Sequence, residues 1–184
     1  MKLYHVSTIN KDKKKLDLSQ EPKQDIRFTG NLVYNVSLFE RFYSEYNMPI
    51  ISELGKERGW IVEKVATEAV FEYIRQKQCF YKPSRLSSTY FTNSLENAKM
   101  FNNTEREGKA AIFTFNADEN NAFYFNMDIF HNVCASFKSN GITNDTFQYA
   151  KQLAEIYWKG YEGINNTNCE ILYLGLPILE NIGS

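Results

Sequence analysis

The chain has 184 residues but only three cysteines and two histidines. Cys79, Cys134 and Cys169 lie far apart and form no C-x-x-C pair, and their odd number argues against a disulfide framework or a zinc ribbon. His5 and His131 are too few for a histidine-rich metal site. Cys169 sits beside Glu170 with no histidine near it in sequence, so it reads as a small buried hydrophobe rather than a thiol nucleophile. Neither sign of charge dominates. With 21 basic and 22 acidic side chains the net charge is −1, which gives no field to gather phosphates and argues against a dedicated duplex-binding protein. The one basic cluster, Lys11, Lys13, Lys14 and Lys15 followed by Lys23, reads as a solvated loop. No stretch approaches the roughly 18 consecutive apolar residues of a membrane span. The opening Met1-Lys2-Leu3-Tyr4-His5 lacks the apolar run of a signal peptide. The N-x-S/T sequons at Asn35, Asn102 and Asn144 are of the kind that arise by chance in an Asn-rich chain, so the expected compartment is the cytoplasm. Also missing are a glycine-rich phosphate loop, H-E-x-x-H and G-x-S-x-G. A nucleotide site here must be built without a glycine loop delivering backbone amides.

What is present is a normal globular share of apolar residues, 43%, with 14 Phe and 12 Tyr against 2 Trp. That supports one domain over 1–184 with a Phe/Tyr-rich core that folds unaided. Alternation predicts a strand at 2–7, and Lys11 to about Gly30 reads as an exposed connection broken by Pro22. Val36, Leu38, Phe39, Phe42, Tyr43 and Tyr46 recur at helical spacing before Pro49. The clearest helix covers about 59–79, with an apolar stripe from Ile61 to Ile74 and Glu63, Lys64, Glu68, Glu72 and Arg75 mostly off it. A helix over 95–102 is capped by Ser94 or Asn93, with Leu95, Ala98 and Phe101 inward. Strands follow at 110–116 and 122–127. A helix from about Asp145 to Lys159 ends at Gly160, then come a polar loop over 161–169 and strands at 170–175 and 178–182. There is no internal repeat and no domain linker. Strands at the start, middle and end with helices between them predict an α+β fold rather than a doubly wound sheet.

Three polar residues stand in unusual places. His5 lies inside an apolar strand, Tyr90 ends a hydroxyl-rich strand before a helix, and Glu170 opens an apolar strand after a polar loop. Singly they read as a core histidine, a packing tyrosine and a surface carboxylate. Together, the segments Leu-Tyr-His-Val-Ser, Arg-Leu-Ser-Ser-Thr-Tyr-Phe-Thr-Asn-Ser-Leu-Glu-Asn-Ala and Cys-Glu-Ile-Leu-Tyr-Leu-Gly resemble the ADP-ribosyltransferase superfamily. The likeness is to its His-Tyr-Glu branch, which includes diphtheria toxin and the poly(ADP-ribose) polymerases, and to small bacterial proteins that open in the same way.

The resemblance implies a split β-sheet core with helices packed around it and NAD as a substrate. It implies that His5, assisted by Ser7, bonds the adenosine-side ribose, whose hydroxyls suit an imidazole that both donates and accepts. Tyr90 would stack on nicotinamide, with Tyr81 a second wall and Arg85 reaching the pyrophosphate. Glu170 would be catalytic, stabilising the positive charge that develops as the glycosidic bond breaks. The loop before it, with Glu162 as a helper, would read the acceptor. The implied activity is ADP-ribosyl transfer to a protein or nucleic acid, or NAD hydrolysis when water attacks the same cation. An RNA 2′-phosphotransferase shares the fold but needs several arginines around its phosphate, and no such cluster is evident. From other classes come a non-catalytic module binding NAD, ADP-ribose or a partner, and a purely structural interaction domain.

Overall fold

A computed structural model of the chain describes residues 1–8, 26–42, 53, 56, 59–160, 168–175 and 177–183. Helices and two small antiparallel sheets make the fold α+β, as the element order predicts. The basic cluster Lys11–Lys15 with Lys23, the stretch from Tyr43 through Pro49, and Glu162 with residues 161–167 lie outside the described residues. None of the described helices is long and apolar enough to cross a membrane.

The chain divides into two compact units. One draws on Met1–Pro22, Ser88–Phe125 and Tyr161–Ser184, the other on Lys23–Ser87 and Asn126–Gly160. The first unit is built on strands β1 (Lys2–Ser7), β2 (Tyr90–Phe91), β3 (Ala111–Asn116), β4 (Ala122–Asn126), β5 (Cys169–Tyr173) and β6 (Ile178–Gly183). β1, β3 and β6 form one sheet with β3 in the middle, and β2, β5 and β4 form the other with β5 in the middle. The two sheets meet at a bridge between Tyr4 and Thr92, whose amides and carbonyls exchange hydrogen bonds of 2.8 and 2.9 Å.

Alternation in the strands decides what lies between the sheets. Leu3 of β1, Phe91 of β2, Phe113 and Phe115 of β3, and Cys169, Ile171 and Tyr173 of β5 form one buried cluster. Helix α3 (Leu95–Glu105) starts at Ser94, whose hydroxyl accepts from the Asn97 amide at 3.3 Å. Ala98 is buried as expected, but Leu95 and Phe101 are exposed rather than inward. The helix instead buries Asn102, whose amide clamps Ala110 at both ends, donating to its carbonyl (2.9 Å) and accepting from its N–H (3.1 Å).

The second unit contains α1 (Ile26–Phe42), α2 (Val62–Gln78), α4 (Met127–Asn140) and α5 (Asn144–Lys159). α1 begins earlier than its apolar periodicity after residue 36 suggested, because Phe28 and Leu32 extend the buried stripe of Val36 and Phe39 by two turns. α5 ends where Gly160 takes φ of 88°, a region that favours glycine. α4 is absent from the sequence expectations. Its signals are ordinary ones: Asn126 caps the Asp128 amide, Phe130, Val133 and Phe137 are buried at helical spacing, and Gly141 follows at φ 71°.

The main correction to the reading of α2 concerns its acids. Glu68 and Glu72, placed off the apolar stripe by their charge, are both about 2% exposed. They are buried because each has an arginine. Arg75 grips Glu72 through Nε (3.0 Å) and Nη2 (2.7 Å), while Arg85 grips Glu68 through Nε (3.0 Å) and Nη2 (3.1 Å). A carboxylate buried with a two-pronged guanidinium avoids most of the penalty of an unpaired charge.

Candidate functional site

The site residues expected in strands fall in the sheet unit, and register fixes which way they face. In β1, Leu3, His5 and Ser7 are buried while Tyr4 and Val6 are partly so. His5 is the Cα partner of Phe113, and Leu3 of Phe115. Opposed residues share a face, so His5 points into the same inter-sheet space as the buried cluster. Its ring packs 5.6 Å from that of Phe91, and its Nδ1 lies 2.8 Å from the backbone carbonyl oxygen of Tyr90. A carbonyl oxygen can only accept, so Nδ1 is the protonated nitrogen and donates this bond.

Tyr90 and Glu170 are brought together by a different part of the pattern. Tyr90 opposes Leu172, and Phe91 opposes Ile171. Ile171 and Phe91 belong to the core cluster, so Tyr90 and Leu172 lie on the other face of the second sheet. Glu170 is two residues from Leu172 and shares that face. Diagonal neighbours of this kind in an antiparallel pair are about 7–8 Å apart. The phenol of Tyr90 is 37% exposed, enough to offer a ring face. Glu170 differs from its expected setting. β5 is the central strand of its sheet, and Glu170, which singly reads as a surface carboxylate, is only 6% exposed.

Cys169, one residue before Glu170, turns to the core side. Burial pushes its thiol up, the neighbouring charge of Glu170 adds to that, and a backbone hydrogen bond from Phe125 opposes it only in part. The thiol therefore stays protonated, in line with its reading as a packing residue. All three cysteines are free thiols.

Tyr81 and Arg85 belong to the helical unit. Tyr81 is 63% exposed and forms an edge-to-face pair with Phe80 at 6.2 Å. Arg85 is no surface charge. Besides Glu68 it donates from Nη1 to the Tyr157 hydroxyl at 2.8 Å, and its guanidinium lies 4.2 Å over the Phe130 ring. Two contributors to the sheet site lie outside the sequence expectations, Leu172 and the backbone carbonyl of Tyr90. Leu172 is legible afterwards as the position two residues from Glu170. The carbonyl of Tyr90 is not, since every residue but proline offers the same backbone groups and no side-chain pattern marks one of them.

Residues 3–180 match the model of a family described as Protein of unknown function (DUF2441). The chain belongs to that family. No curated protein matches the sequence. The matched residues run through both units.

Proposed function

We propose that this chain uses NAD as a substrate and transfers ADP-ribose to a protein or nucleic acid, water being the acceptor when NAD is merely hydrolysed. The observation that supports the reading is the meeting of β1, β2 and β5, which brings the His5 ring to the backbone of Tyr90 and puts the Tyr90 and Glu170 side chains on one sheet face. In this reading Tyr90 stacks on the nicotinamide ring, and His5 and Ser7 receive a ribose. Glu170 bonds the other ribose and stabilises the cation left as nicotinamide departs. A carboxylate preorganised toward developing positive charge lowers the barrier without reorganising at the moment of reaction. The three free thiols fit a cytoplasmic setting.

The test is release of nicotinamide from NAD by the purified chain. Wild type should release it, and Glu170→Gln should still bind NAD while turning over about 100- to 1,000-fold more slowly, the scale of losing one electrostatic stabiliser. Absence of both binding and release at millimolar NAD would end the proposal. The near-complete burial of Glu170 favours a second reading, a module that binds NAD or ADP-ribose without turning it over. It predicts saturable binding with no nicotinamide release and no effect of Glu170→Gln on affinity.

A further inference from the structure

His5 sits where a ladder hydrogen bond runs out. Thr92 points its N–H and C=O toward Tyr4 of β1. Residues two apart in an extended strand point their backbone groups the same way, so the carbonyl of Tyr90 also faces β1. There the donor is a side chain, Nδ1 of His5 at 2.8 Å. β2 is two residues long and lies at the edge of its sheet, paired with β5 on one side.

We infer that His5 is a positioning residue: its Nδ1–H fixes the backbone of Tyr90 to β1, and so sets how the Tyr90 ring stands relative to Glu170. The hydrogen bond gives the imidazole one fixed tautomer, with the lone pair of the neutral ring at Nε2. Phe91, against which the ring packs, keeps the imidazole from turning away. The consequence for turnover rests on the proposed use of NAD. The latch itself does not.

The experiment uses the full chain with 15N-labelled histidine. In wild type, Nδ1 should carry a proton. Three variants then separate the two nitrogens. His5→Asn restores an N–H near the Nδ1 position, His5→Gln places its amide nearer Nε2, and His5→Ala has neither. Exchange of the Phe91 and Thr92 amides should stay within about twofold of wild type in His5→Asn and quicken about fivefold in the other two, the scale of one net hydrogen bond. The kcat for nicotinamide release should fall in His5→Ala and His5→Gln and recover with His5→Asn, while KM for NAD rises in all three. An Nε2–H tautomer in wild type, or exchange in His5→Asn as fast as in His5→Ala, would overturn the inference. Should the exchange pattern hold while wild type neither binds NAD nor releases nicotinamide, the latch stands and the NAD reading falls.

Discussion

Arg85 provides the most direct test of how the helical unit is held together. Replacing it with methionine, Arg85→Met, keeps much of the stem and removes the charge. The substitution deletes both prongs on Glu68, the 2.8 Å bond to Tyr157 and the guanidinium stacked 4.2 Å over Phe130. It also strands the carboxylate of Glu68, whose side chain is 3% exposed. Breaking one side of a buried pair costs about 3–5 kcal/mol, most of it the penalty of the charge left behind. That would be about a fifth or more of the stability of a typical domain, about 5–15 kcal/mol. Glu68→Leu alone should cost a similar amount, since it strands the guanidinium. The double variant Arg85→Met with Glu68→Leu removes both charges and should recover most of the loss, to within about 1–2 kcal/mol of wild type. Urea unfolding followed by tryptophan fluorescence reads all four proteins, and Trp158 is a suitable probe because it is fully buried in the same unit. If Arg85→Met cost under about 1 kcal/mol, or the double variant fell as far as the sum of the singles, the burial argument would be refuted.

The remaining expectations concern acid and the sheet unit. Burial works to raise the Glu40 carboxyl, but hydrogen bonds from Lys151, Tyr73 and Lys77 outweigh it and hold it at about 2, below its ordinary 4.5. A lowered carboxyl stabilises the fold above its unfolded value and loses that contribution as pH falls through the folded one. Glu40 should therefore add about 1–2 kcal/mol at neutral pH after allowance for solvent screening, fading between pH 4.5 and 2. Acid titration of Glu40→Gln by circular dichroism should show that slope reduced, and an unchanged slope would contradict the assignment. In the sheet unit, Asn102→Ala should cost about 2–3 kcal/mol by leaving the buried N–H and C=O of Ala110 without their amide partner. Thermal melting would show it, and a loss within error would mean that water replaces the amide.

The strands and most helices were legible because their periodicities are strong. β1, β3 and α5 lie within a residue or two of where alternation and capping put them. The local signals of α4 are ordinary, but its short apolar spacing follows a strand of similar composition and does not stand apart from it in sequence. Other features were not local at all. That Glu68 and Glu72 are interior depends on guanidiniums whose reach only the fold defines, 17 residues on in the case of Arg85. For the candidate site, sequence supplied residue types and order. The shared face of Tyr90 and Glu170 needed the pairing of Tyr90 with Leu172, and a one-residue slip would have put the two on opposite sides. The contact of His5 with a backbone carbonyl had no sequence signal of any kind.

The interleaving of the two units has a consequence for how this polypeptide is made and cut. Strands β5 and β6 come last in order, yet β5 is the middle of one sheet and β6 completes the other. During synthesis neither sheet can close until residues beyond 168 leave the ribosome, so the aromatic interior of the sheet unit stays open while the helices have already been made. A nick anywhere before β5 that lets the later segment diffuse away removes the centre of a sheet rather than trimming a flap.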